Sequence, residues 1–320
     1  MRIKKKVVVT GCAGFIGSHL TELLIKLNYY VIGIDNLSTG KLKFLKHIRN
    51  NKNFKFYKLD LFQNNKLEKY FKSAQIIFHL SANADVRNGF KNPKKDLEQN
   101  TIVTFKILEL ARKLSIKKVV FSSTGSIYGE PKKFPTKENY NFPIQTSLYA
   151  SSKLAGEGLM QAYAYGYNIK VYIFRFVSIF GKRYTHGHLY DFYKKLKKNP
   201  KKLEILGNGL QKKSYLNVSD CIDAIIIGLK KSKDKINIFN LGLNNFITVN
   251  QSINYICNYL KLKPKRIYTG GKRGWIGDSP KIFLDTQKIR RLGWKPKKNI
   301  EQSIYETLSF FKDNEWIFKK

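Results

Sequence analysis

A chain of 320 residues is long enough to bury a large core and suits one big domain or two unequal lobes. Its 60 Lys and Arg against 22 Asp and Glu give a formal net charge of +38. The lysines run through predicted helices and loops alike, so a composition-wide bias plus an anionic ligand accounts for the charge better than a nucleic-acid surface does. No run of about 18 apolar residues exists to cross a membrane, and the opening Met-Arg-Ile-Lys-Lys-Lys leads into a strand, not a secretory core. Three scattered cysteines, Cys12, Cys221 and Cys257, exclude a disulfide framework or a zinc cluster and fit a reducing cytoplasm.

In chain order, the apolar run 6–10 predicts a strand, followed by Gly11, Gly14 and Gly17 and by a helix over 15–28. Gly11 permits a tight turn, Gly14 lets the backbone approach a phosphate, and Gly17 lets helix and strand pack closely. The helix end, with Phe15 and Ile16 in its first turn, presents N–H groups and a positive dipole to a pyrophosphate. The next strand, 30–35, ends in Asp35, followed by Asn36. A carboxylate there accepts hydrogen bonds from the adenosine ribose and repels a 2′-phosphate, so NAD is favoured over NADP. The alternation continues with a helix at 38–49, a strand at 54–58, a helix at 64–72, a strand at 75–80, a helix at 93–114, a strand at 117–122, a helix at 148–166 and a strand at 169–175. It predicts the α/β class: a Rossmann-type doubly wound parallel sheet with its ligands at the carboxyl ends of the strands.

From about residue 176 the pattern loosens around turn signals such as Gly207-Asn208-Gly209 and Gly270-Gly271, with helices at 187–198, 219–231, 248–260 and 299–313. The expected division is an NAD-binding domain over 1–180 and a smaller C-terminal α/β substrate lobe over 181–320, with part of 215–245 packing on the large domain. His186, His188 and Asp191 have no fourth ligand at suitable spacing, so no metal is expected.

Tyr149 and Lys153 stand one helical turn apart on one face. An ammonium there favours the tyrosinate and lowers the phenol's pKa, giving a base near neutral pH. The same spacing recurs at Tyr190/Lys194 and elsewhere, so position decides. Tyr149 opens the helix that follows the strand ending Phe121-Ser122-Ser123-Thr124, and the two segments would meet beside the cofactor.

The glycine run, Asp35, Asp60-Leu61, His79-Leu80-Ser81-Ala82, Phe121-Ser122-Ser123-Thr124 and Tyr149/Lys153 together resemble the extended short-chain dehydrogenase/reductases that act on nucleotide sugars, most closely the UDP-hexose 4-epimerases. Gly207-Asn208-Gly209 with the run from Tyr215 to Asp220, the run from Arg273 to Asp278, and Leu292-Gly293-Trp294 extend the resemblance over essentially the whole chain. It implies NAD as cofactor, Tyr149 as acid/base, Thr124 bonded to the reacting sugar hydroxyl, and Lys153 lowering the phenol's pKa while holding the nicotinamide ribose. Asp60 and Leu61 would lie by the adenine, and Leu80, Ser81, Ala82 and Ser122 would line the phosphate and ribose region. Asn100 would be a structural and proton-relay residue. The resemblance further implies a UDP-sugar substrate, a hydride shuttle at C4, and a cytoplasmic homodimer formed through the helices at 93–114 and 148–166, with no nucleic-acid partner.

Sugar dehydratases of this family carry an Asp-Glu pair directly after the threonine, and decarboxylases keep a glutamate at the second position. Gly125 and Ser126 stand there and disfavour both chemistries. Ser178 replaces an asparagine that usually touches the substrate, and together with Arg87 it resembles the hexuronate 4-epimerases. Lys213 occupies the place of the usual pyrophosphate arginine, and Arg273 lies two residues from its expected place relative to Gly277-Asp278. The implied substrate set is therefore Arg87, Thr124, Gly125, Ser126, Tyr149, Ser178, Lys213, Arg273 and Asp278. UDP-glucose/UDP-galactose or UDP-N-acetylglucosamine is the first expectation and UDP-glucuronate, or another reaction on the same fold, the alternative. A non-catalytic NAD-binding regulator with a basic surface is the reading from a different class, and the intact Thr124/Tyr149/Lys153 set argues against it.

Overall fold

Three consecutive valines, Val7–Val9, lie at the centre of a parallel sheet, buried from both sides. The computed structural model describes residues 4–87, 89–141 and 143–319. The chain forms two units. The first comprises Met1–Ile127, Ser147–Arg175 and Ile225–Phe239, and the second Tyr128–Thr146, Phe176–Ala224 and Asn240–Lys320. Residues 128–146 thus count with the second unit and 225–239 with the first, where the sequence suggested a division at residue 180 with part of 215–245 on the large domain.

The sheet of the first unit contains β1 (Lys6–Thr10), β2 (Tyr30–Asp35), β3 (Phe54–Lys58), β4 (Ile76–His79), β5 (Lys118–Thr124), β6 (Lys170–Phe176) and a last strand, Ile236–Leu241. Their order is Ile236–Leu241, β6, β5, β4, β1, β2, β3. Val8 pairs in parallel with Ile32 on one side and Ile77 on the other. The winding reverses between β1 and β4, so the segments that leave these two strands, from Gly11 and from Leu80, flank a crevice at their carboxyl ends. Near-continuous apolar strands are what a sheet covered by helices on both faces requires. Val8, Ile77, Val119 and Phe121 of the sheet pack with Ile107, Ala111, Met160 and Ala164 of the helices in one core.

The helices of this unit are α1 (Phe15–Lys26), α2 (Glu68–Phe71), α3 (Pro93–Asp96), α4 (Val103–Lys113) and α5 (Leu148–Tyr167). Three expectations need correction. The segment expected as a helix over 38–49 is a 3₁₀ stretch, Leu42–Ile48, that buries Phe44, Leu45 and Ile48 between Gly40 and a run of asparagines. The helix expected over 64–72 shrinks to α2. The helix expected over 93–114 is interrupted by a π-helical stretch, Leu97–Ile102, in which the Thr104 hydroxyl donates to the Asn100 carbonyl at 2.5 Å. Such wide turns commonly accompany functional side chains.

In the second unit, α6 (His188–Lys198), α8 (Val249–Leu260) and α10 (Ile300–Asp313) pack through Leu189, Tyr193, Ile253, Ile256, Ile304 and Phe311, with α7 (Val218–Lys231) divided between the units and α9 (Gln287–Arg291) a short turn that periodicity did not reveal. Capping boxes at Thr248/Gln251 and Asn299/Gln302 start α8 and α10. No helix among the described residues is long and apolar enough to cross a membrane.

Candidate active site

The turn after β1 is built for close approach. Gly11 has φ +72°, and a Cβ there would lie 2.8 Å from the Ser81 amide nitrogen, while a Cβ on Gly17 would meet the Gly11 carbonyl oxygen at 2.0 Å. Gly14 is the N-cap of α1 in extended backbone, with no side chain capping the helix and no acidic residue in its first turn. First-turn N–H groups have no intrahelical acceptor, so this end is a donor set suited to a pyrophosphate.

Asp35 is buried at the end of β2 and accepts from the Ala13 N–H at 3.0 Å and the Leu37 N–H at 2.8 Å. Burial raises its pKa against these two bonds. Asn36 donates to Asp60 Oδ2 at 2.8 Å, and Asp60 Oδ1 accepts from the N–H groups of Phe62 and Gln63. Burial works against the Asp60 carboxylate, yet these bonds hold its pKa below the usual range. Asp35, Asn36, Asp60 and the buried Leu61 are thus gathered at the ends of β2 and β3. Ser81, between Leu80 and Ala82, bonds Thr10 through its hydroxyl at 3.1 Å, which ties the segment after β4 to β1. His79, expected only as part of a motif, is fully buried between Thr10 and Thr104 and kept neutral, its pKa lowered by burial to about 3.

The segment after β5 meets the first turns of α5. Ser147 caps α5 by accepting from the Ala150 N–H at 3.1 Å. Thr124 stands close enough to the Tyr149 hydroxyl to favour its ionised form. Thr124 donates to the Ser126 hydroxyl at 3.2 Å and accepts from the Ser126 N–H at 3.1 Å, in the turn that begins at Gly125. Lys153 is 2% exposed, lies 4.7 Å from the centre of the Phe121 ring, and donates to the Ser122 carbonyl at 2.8 Å. Burial lowers its pKa to about 7, against Glu157 and Asp96, which favour its charge. Burial and then Asp96 push the Tyr149 phenol up to about 12, against Thr124. The depression of the phenol expected from Lys153 is therefore not produced by the chain alone: the ammonium is turned to a carbonyl, and desolvation dominates.

Three acids around this pair escaped the sequence reading. Glu157 is fully buried, accepts from Ser123 at 2.5 Å and forms a bidentate pair with Arg175 of β6. Asp96 accepts from Asn83 at 2.7 Å and Asn100 at 3.3 Å, and Asn100 also donates to Ser152 at 2.9 Å. Asp85 lies on the exposed stretch after β4 that also carries Arg87. Glu157 sits one turn beyond Lys153, a spacing that could have flagged it; Asp96 carries no such signal.

In the second unit, Lys213 donates to Asp278 Oδ1 at 2.8 Å and to the Ser279 carbonyl, Arg273 donates to the Asp278 carbonyl at 2.8 Å and pairs with Glu130, and the Gly274 N–H donates to Asp278 Oδ2. Burial lowers the Lys213 pKa, opposed by Asp278. Lys213, Arg273 and Asp278 thus form one cluster, and Ser178 lies on an exposed strand end paired with Tyr215, two residues from Lys213. His188 bonds Ser252 at 2.8 Å and packs edge-on against Phe180.

The sequence profile of the NAD-dependent epimerase/dehydratase family matches residues 7–242. The chain belongs to that family. An epimerase-family relative from Methanocaldococcus jannaschii, provisionally named a UDP-glucose 4-epimerase, is 34% identical over 96% of this chain and 99% of its own. The UDP-glucose 4-epimerase of Thermotoga maritima, solved with UDP-glucose, superimposes with a TM-score of 0.87 at 30% identity, covering 97% of this chain and 99% of that one. The UDP-glucuronic acid 4-epimerase of Bacillus cereus, solved with UDP-glucuronic acid and NAD, superimposes with a TM-score of 0.89 at 26% identity, covering 96% of this chain and 99% of that one. Membership of an NAD-dependent family agrees with the cofactor expected from the glycine run and Asp35, and the Rossmann-type sheet agrees with the expected fold.

Proposed function

We propose that the protein is a nucleotide-sugar 4-epimerase acting on a UDP-hexose of the glucose/galactose or N-acetylglucosamine type. The observation that carries this reading is Thr124, beside the Tyr149 hydroxyl and bonded to Ser126, with Gly125 and Ser126 where a water-eliminating site needs carboxylic acids. Epimerisation through a 4-keto sugar needs one acid/base and no second acid. Gly11, Gly14, Phe15, Ile16 and Gly17 would hold the NAD pyrophosphate, Asp35 and Asn36 the adenosine ribose, Asp60 and Leu61 the adenine, and Leu80, Ser81, Ala82, Ser122, Tyr149 and Lys153 the remainder, with Asn100 in support. NAD+ supplies the two-electron acceptor and donor at C4 and positive charge on its nicotinamide ring. Thr124 would orient the C4 hydroxyl, and Tyr149 would take its proton as the C4 hydride leaves and return it to the same oxygen when hydride re-enters on the opposite face of the turned 4-keto sugar. Lys153, buried and cationic, favours the tyrosinate electrostatically once the phenol is called on to ionise. Lys213 and Arg273 carry the charge for a diphosphate, with Asp278 orienting both.

A hexuronate is the second reading, favoured by exposed Arg87, whose guanidinium suits a carboxylate, and by Ser178. Proton NMR of the protein with added NAD+ and UDP-glucose, UDP-N-acetylglucosamine or UDP-glucuronate decides between them: the C4 epimer should form without net NADH. No change in any sugar, with the protein folded and NAD bound, would overturn the assignment.

Two further expectations belong here. Exposed Leu97 and Phe105 on the α3–α4 segment and Tyr165 and Tyr167 on α5 support a homodimer through these helices, which light scattering should report as twice the chain mass. Three free, buried thiols support a cytoplasmic location.

A further inference from the structure

Beneath the first turns of α5 lies a polar cluster that the proposed reaction does not yet use. Asp96, at the end of α3, is 1% exposed. Its Oδ1 accepts from the side-chain amides of Asn83, at 2.7 Å, and Asn100, at 3.3 Å. Its Oδ2 meets no hydrogen-bond donor among the described residues, and a Cβ on Gly89 would approach it to 2.6 Å. Asn100 accepts the Asn83 N–H at 2.8 Å and donates to Ser152, and Ser152 donates to the Tyr149 carbonyl at 2.8 Å. The chain of bonds therefore runs from Asp96 through Asn100 and Ser152 to the backbone of Tyr149. A carboxylate can only accept, and a backbone N–H can only donate, so Asp96 and Asn83 together leave the Asn100 amide a single orientation. The π-helical stretch of Leu97–Ile102 is what brings Asn100 round to this face while Asp96 stays one turn behind it.

We propose that Asp96 is a positioning residue for the 4-epimerase reaction, holding Asn83 and Asn100 under α5 and placing a negative charge near Tyr149 and Lys153. The inference rests on the reading of Tyr149 as acid/base. A half-satisfied buried carboxylate is costly to keep, and its retention next to the two proton-handling groups gives it a use. It favours the ammonium of Lys153 and disfavours ionisation of Tyr149, so the proton stays on the tyrosine and the charge on the lysine until substrate and cofactor alter the balance. The other charged groups facing this set are Glu157, on the α5 turn after Lys153 and tied to Arg175 of β6, together with Asp85 and Lys95 near Asp96; His79 of β4 is neutral. Glu157 acts on Lys153 more strongly than Asp96 does but is tied to Arg175, and Asp96 is the acid that acts on Lys153 and Tyr149 together.

Two variants test this. D96N keeps the shape and an acceptor oxygen, whereas D96S shortens the side chain; both remove the charge, so a shift common to both belongs to the charge and not to packing. Tyr149 ionisation is read from tyrosinate absorbance as a difference between each protein and its own Tyr149→Phe version. Its midpoint should fall by about one pH unit in both variants, the usual size for a neighbouring charge. In turnover, both limbs of the kcat profile should move to lower pH, because loss of the charge lowers both pKa values, with KM little changed. An unmoved midpoint with unmoved limbs, even if kcat falls, would overturn the proposal and leave Asp96 a purely structural acid. Failure to turn over any nucleotide sugar would instead count against the reaction assignment, and the titration would still decide the role of Asp96.

Discussion

The candidate site residues of the two units carry their charge in opposite ways. In the first, Lys153 donates to a neutral carbonyl and lies against the Phe121 ring, Asp96 has one oxygen without a donor among the described residues, and Tyr149 is held un-ionised. In the second, both candidate cations already meet carboxylates, Lys213 on Asp278 and Arg273 on Glu130. An ammonium near pKa 7 sits where a small change of surroundings moves its proton. A cation bonded to a carboxylate is held in its place by that bond. The first arrangement suits proton handling, and the second suits holding an anionic group in a fixed position.

The largest effect that tests this contrast is Tyr149→Phe. It removes the phenolic proton while leaving the ring and the glycine-rich turn, so kcat for epimerisation should fall about a thousandfold, the usual range for losing a positioned acid/base. NAD retention, read by absorbance of the released cofactor, should be unchanged. Comparable activity in this variant would move the acid/base role elsewhere.

Next in size are the two buried ion pairs. Glu157→Gln leaves the Arg175 guanidinium buried without its carboxylate, and an arginine cannot shed its proton. A loss of about 3–5 kcal/mol in denaturant unfolding is expected, independent of pH. Asp278→Asn leaves Lys213 in the same position, but a lysine can deprotonate, and its pKa is already lowered by burial. The cost should be smaller, about 1–3 kcal/mol. It should also shrink as pH rises: the folded-state pKa lies below the unfolded one, so the unfolded chain binds more protons between the two values and stability climbs with pH across that window. Equal and pH-independent losses would remove the distinction between the units.

What the sequence could and could not say follows the same line. The six strands from Lys6 to Phe176 were legible within about two residues of their bounds, because buried parallel strands are continuous apolar runs between glycines and polar turns. Thr124, Tyr149 and Lys153 were legible because their motif lies at a strand end and a helix start. Of the Asp96–Asn83–Asn100–Ser152 cluster only Asn100 was singled out, and that through the family resemblance. The cluster's members look like solvated helix and loop positions, and the π-helical turn that gathers them breaks the 3.6-residue period by which helices are recognised. Lys213 and Asp278 were each singled out, but a bond spanning 65 positions leaves no local trace. The pKa of Tyr149 was misjudged for a related reason: spacing reports that a lysine is near, and not where its ammonium donates.

The smallest effect separates position from stability. Ser147 caps α5 and Asn299 caps α10, each by accepting from the N–H three residues on. Replacing either by Ala removes one side-chain acceptor from a helix start and should cost about 1 kcal/mol. The loss for Asn299→Ala should be slightly greater, because its capping box also loses the reciprocal Gln302 bond. Only Ser147, however, sits two residues before Tyr149, and the Ser151 hydroxyl also donates to its carbonyl. Fraying there loosens the turn that aims the phenol at Thr124, so Ser147→Ala should lower kcat several-fold while Asn299→Ala leaves it intact at equal thermal stability. If the two variants lose stability alike and neither alters kcat, then the first turn of α5 is held by the bonds from Asn100 and Ser152 alone, and the cap serves the helix without serving the site.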